Sequence, residues 1–163
     1  MNKKILVALL SFLGFPANAQ DTTKAKTECE EIMNVLLPFA QQMLEKHGEF
    51  FPFGGTMNGK GEVAHIAGYD GREQPPSADI IKLLKDEFRS GARSGQYKAT
   101  GLAYDVRVVL PSTGKKSDAV AISLNHRDSY SVVVLFPYEI NGGKVVFGEV
   151  FAEKGEADVF NSK

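Results

Sequence analysis

From Lys98 to Phe151 apolar and polar residues alternate through four segments separated by turn-forming residues, and the rest of the chain is arranged around them. Leu102, Tyr104, Val106, Val108 and Leu110 alternate with Ala103, Asp105, Arg107 and Val109, the period of two expected of a strand with one face on a core. Ser112-Thr113-Gly114-Lys115 supplies turn chemistry, and Val120, Ile122 and Leu124 then alternate with Ala119, Ala121, Ser123 and Asn125. After His126-Arg127-Asp128, the residues Tyr130, Val132, Val134 and Phe136 form the next inward set. Asn141-Gly142-Gly143 suits a tight hairpin before Val145, Phe147 and Phe151. The pattern predicts an antiparallel meander of four strands. Its second face is polar at Asp105, Arg107, Ser123, Asn125 and Ser131 but apolar at Val133, Leu135, Val146 and Val150, so part of that face requires a cover.

Upstream the period changes. Cys29, Ile32, Met33, Leu36, Ala40, Met43 and Leu44 recur at spacings of three and four, which predicts a helix from Thr27 to His47, kinked at Pro38 and ended by Gly48. Thr27 and Glu30 have the spacing of a capping box. Glu49 to Met57 and Glu62 to Gly68 flank Asn58-Gly59-Lys60-Gly61, a hairpin signal. After the polar loop Tyr69 to Pro76, Ser77 suits an N-cap, and Ile80, Ile81, Leu84 and Phe88 give a second helix one apolar face that stops near Gly91. The predicted fold is α+β, in the order α-β-β-α-β-β-β-β, with about six antiparallel strands and both helices packed on one face. Profilin-like and roadblock-like arrangements share this kind of element order. The charged, aperiodic stretch from about residue 153 reads as a flexible tail.

The amino-terminal residues read differently. Lys3 and Lys4 precede an apolar run from Ile5 to Phe15, and Ala17-Asn18-Ala19 has the small-x-small form of a signal-peptidase site. Residues 1–19 are therefore expected to be a signal peptide cut after Ala19, leaving 20–163 as one domain in the periplasm or secreted. The apolar run is shorter than the roughly 20 residues a spanning helix needs, so no stable membrane insertion is expected.

Composition removes some classes. With 19 Lys and Arg against 20 Asp and Glu, the chain has no basic excess to attract nucleic acid. Only a local group at Arg89, Arg93 and Lys98 stands out, where Arg89-Ser90-Gly91 recurs as Arg93-Ser94-Gly95; it reads as a solvated helix end, with an anion cradle as the alternative. Cys29 is the single cysteine, so stability in an oxidising compartment must come from packing, and its acidic neighbours oppose a reactive thiolate. Gly54 to Lys60 fits the spacing of a phosphate-binding loop, but Gly61 stands where a hydroxyl should hold the metal and a strand pattern follows. His47, His65 and His126 form no close pair suited to a metal, and no nucleophile motif is present; neither metal nor cofactor is expected. The best polar group is the His126-Arg127-Asp128 turn together with Asp105, Arg107 and Asn125, which is the candidate binding site for an anion or a partner's side chain.

The stretch Phe39 to Gly54, with Leu102-Ala103-Tyr104-Asp105-Val106-Arg107 and His126-Arg127-Asp128, resembles a group of small exported bacterial proteins, a class of α+β proteins that includes immunity proteins. The resemblance implies one shared domain. By that class analogy the expected function is binding or inhibition of another protein. A small-molecule binder or hydrolase with a pocket between helices and sheet, and a structural homodimer, are the alternatives.

Overall fold

The computed structural model describes residues 17–161. Its elements run α1 (Ala17–His47), β1 (Phe53–Asn58), β2 (Val63–Ala67), α2 (Ser77–Arg93), β3 (Tyr97–Val109), β4 (Lys116–His126), β5 (Tyr130–Asn141), β6 (Lys144–Phe147) and β7 (Phe151–Lys154). This is the expected α+β class. The sheet is antiparallel throughout, in the order β2-β1-β3-β4-β5-β6, and β7 also pairs with β5. Tyr138 faces Phe147 and Leu135 faces Phe151, so β6 and β7 follow one another along the same edge of β5, with one extra residue between them. Seven strands thus occupy six positions.

The helices lie on opposite faces, not on one. Ile32, Leu36, Ala40 and Leu44 of α1 pack with Phe53, Met57, Ala99, Ala103, Val120, Ile122, Leu124 and Phe136. Ile80, Leu84 and Phe88 of α2 pack with Leu102 and Val159 instead. The alternation in β3 decides this: its large even residues meet α2, while Ala99, Gly101 and Ala103 leave room for α1. A Cβ on Gly101 would lie 2.6 Å from Ile32 Cγ2, and one on Gly54 would lie 2.6 Å from the Phe88 ring. The two glycines let a helix approach the sheet closely from each side.

Three local expectations are corrected. α1 starts at Ala17 and runs through Thr27, whose Oγ1 donates to the Thr23 carbonyl at 3.0 Å, so Thr27 and Glu30 form no capping box. As expected, Pro38 lies inside it. Ser77 is the first residue of α2, Pro76 takes the cap position, and no side chain caps it. The stretch after 153 is a docked strap. Arg89 holds Asp158 at 2.7 Å, Lys85 holds Glu156 at 2.7 Å, and Val159 and Phe160 join the α2 core. The anion met by the basic end of α2 is thus a carboxylate of the same chain. The expected signal peptide falls largely outside the described residues. Among those described, no helix is long and apolar enough to cross a membrane.

Candidate functional site

The polar residues expected to form one site are divided by the β3–β4 register. Ala99 faces His126 and Asp105 faces Val120, so Asp105 lies six residues along the strand from His126's partner, about 20 Å away. Arg107 pairs across the ladder with Asp118 at 3.4 Å, and both side chains are exposed. Asp105 accepts a hydrogen bond from the Tyr138 hydroxyl at 3.1 Å; desolvation pushes its carboxyl above the usual range. Asn125 faces the α2 side and accepts from Ser131 Oγ at 3.1 Å, while Arg127 is exposed on the β4–β5 turn. His126 and Asp128 do come together. The Asp128 N–H donates to His126 Nδ1 at 3.0 Å.

His126 belongs to a buried group that its sequence neighbours do not reveal. Glu28 Oε2 is 2.7 Å from His126 Nε2, and Glu28 Oε1 accepts from Lys98 Nζ at 2.7 Å. Because Nδ1 accepts the Asp128 amide, a neutral His126 carries its proton on Nε2 and donates it to Glu28. Met57 faces Ala99 and Asn58 faces Tyr97, so Lys98 is the extra residue of a bulge in β3, which turns its side chain toward α1. Burial works to raise the Glu28 carboxyl, but hydrogen bonds from Lys98 and His126 hold it below the usual range. The adjacent Cys29 thiol is pushed up to about 12 by burial and by the charges of Glu28 and Glu30. With the His126 side chain 1% exposed, this cluster is closed to ligands and serves to fix α1 to the sheet.

Exposed apolar surface gathers elsewhere, where β2 ends. On the α1 side a groove of 440 Å³ is lined by Phe39, Met43, Phe51, Phe53, Ala67 and Gly68, among others. On the α2 side a second groove of 440 Å³ is lined by Ile66, Ala67, Gly68, Tyr69, Leu83 and Leu84, with Glu87 at its rim. The two meet at Ala67 and Gly68. Phe51 is 48% exposed and Tyr69 75%, while Phe39 and Leu83 are also exposed. Phe39, Phe50, Phe53 and His65 form edge-to-face pairs along the α1-side groove. Phe50, Phe51 and Phe53, close together in the sequence, supply part of this surface. Tyr69 and Leu83 gave no signal, because their place depends on where α2 packs.

Among the described residues no group of His, Cys, Asp and Glu is arranged to hold a metal ion. Comparison with known proteins finds no matching family model, no matching curated protein and no matching solved structure, so geometry carries the functional reading.

Proposed function

We propose that this chain acts outside the cytoplasm as a binding or inhibitory module that docks another protein through the apolar surface at the end of β2. The concentration of Phe39, Phe51, Tyr69 and Leu83 around two adjoining grooves carries the reading, since exposed aromatic and apolar side chains grouped this way mark protein contacts. The Lys3, Lys4 and Ile5 to Phe15 pattern supports export, and the class analogy with exported immunity proteins supports inhibition. A small apolar ligand in the α1-side groove is the second reading, favoured by a volume within the range of small-molecule sites.

The test is retention of proteins from the periplasm and from neighbouring cells' secretions on the tagged chain, run beside Phe51→Ser and Leu83→Ser. A stoichiometric partner kept by the parent and lost by both variants is expected. A partner retained equally by all three places the contact elsewhere and ends the groove reading. Intact mass of the exported product checks the cut after Ala19.

A further inference from the structure

Among the described residues no strand pairs with the edge of β2 opposite β1, and its backbone groups decide what suits the two grooves. The Asn58 N–H donates to the Glu62 carbonyl at 3.1 Å at the base of the hairpin. Antiparallel ladders alternate, so the bonded pairs are Thr56 with Ala64 and Gly54 with Ile66, and the amides and carbonyls of Val63, His65 and Ala67 point away from β1. These outward groups end at Ala67, where the grooves meet, one above the sheet plane and one below. A Cβ on Gly68 would lie 2.8 Å from Ile80 Cγ2, so the chain here is pressed onto α2 and the notch is shaped in backbone.

We propose, resting on the docking reading above, that the open edge of β2 captures an extended segment of another protein as an added strand. Successive apolar side chains of that segment enter the α1-side and α2-side grooves in turn. An added strand supplies the amides and carbonyls that Val63, His65 and Ala67 require, and its side chains alternate between the two faces on which the grooves lie. Glu49 at one rim and Glu87 at the other have no cationic partner among the described residues, so the segment is apolar with flanking Lys or Arg. A second copy of this chain fits poorly. Self-pairing of β2 about His65 sets Ala67 against Val63 and Gly68 against Glu62, and brings the polar Lys60 to Glu62 turn onto the apolar notch.

The experiment pans a displayed random dodecapeptide library on the full chain and measures one selected peptide by fluorescence anisotropy. Selected sequences should share adjacent apolar residues flanked by Lys or Arg. Binding should slow amide exchange at Val63, His65 and Ala67. It should weaken at least about tenfold in Ala67→Pro, and by a similar factor when every second peptide amide is methylated, with the other register tolerated. The methylated peptides are read against the unaltered chain, so the outcome stands even if Ala67→Pro fails to fold. Apolar residues at helical spacing, or equal binding of both methylation registers, overturn strand addition. If Phe51→Ser abolishes that same binding, the docking reading survives its loss. A dimer in sedimentation that Ala67→Pro dissociates makes the occupant a second copy and overturns the proposal. Failure to select any peptide, with no partner retained on the chain, overturns both.

Discussion

Replacing Glu28 by Gln tests whether the buried ionic group holds α1 on the sheet. Lys98 Nζ lies 2.7 Å from Glu28 Oε1, with side chains 8% and 12% exposed. At that separation and an effective dielectric of about 20, the gross attraction is on the order of 6 kcal/mol, largely offset by the cost of removing both charges from water. In Glu28→Gln the amide can still accept from His126 Nε2, but Lys98 keeps its charge without a counterion. Breaking one side of a buried pair costs about 3–5 kcal/mol, and that is the expected loss in urea unfolding at neutral pH. Lys98→Met in the same background should recover much of it, because the unpaired charge is then gone. The pH dependence gives a second reading of the same group. The Glu28 carboxyl is held low in the folded state, so its contribution is complete above the ordinary carboxylate pKa of about 4.3 and fades as pH falls through the folded value. Glu28→Gln should lack that component. A loss below about 1 kcal/mol, with the acid limb unchanged, would show a solvated pair and refute the reasoning.

Gly101→Ala should destabilise by about 1–3 kcal/mol in the same assay, because the new Cβ meets Ile32 Cγ2 at 2.6 Å and Leu36 Cδ1 at 2.9 Å, and Ile32→Ala should make the change less costly. Arg89→Ala should loosen the strap, which Lys85 still holds: cleavage after Lys154 by a protease should accelerate several-fold while global stability falls by about 1 kcal/mol, and an unchanged cleavage pattern would contradict the clamp. Cys29 should resist maleimide at pH 8 and react fully in urea, since the folded thiol is buried and its pKa is raised. Arg107→Ala and Arg127→Ala should act additively in unfolding, because about 30 Å of strand separates them; a coupling above about 0.5 kcal/mol would contradict the register.

The strands were legible where large β-branched and aromatic residues alternate: Val120, Ile122, Leu124 and Phe136 are buried on one face as their spacing requires. The helix placement was not, because Ala99, Gly101 and Ala103 have little hydrophobic weight and read as an outer face. Their smallness is the signal, since it makes the space that Ile32 and Leu36 fill. Glu28 left a faint trace as a carboxylate four residues before Ile32, on the apolar stripe of α1. Lys98 left none, because a bulge changes which way a residue points without changing its neighbours in sequence. The six-residue polar site dissolved for a related reason. Asp105, Arg107 and His126 stand on adjacent strands, and only the register says how far apart along them they lie.

Placing one helix on each face also creates the candidate docking edge. Had both helices lain on one side, β2 would present an apolar groove on one face and bare sheet on the other. Here α1 ends beside Phe51 and Phe53, while α2 sets Leu83 and Leu84 against Ile66, so the last residues of the edge strand stand between two apolar walls. Three polar groups elsewhere are matched within the chain: Lys98 by Glu28, Arg89 by Asp158, Asp105 by Tyr138. At the β2 edge the matching is incomplete on two counts at once, in backbone hydrogen bonds and in apolar contact. A strand from another protein completes both in one geometry, whereas a small ligand in either groove leaves the amides of Val63, His65 and Ala67 facing water.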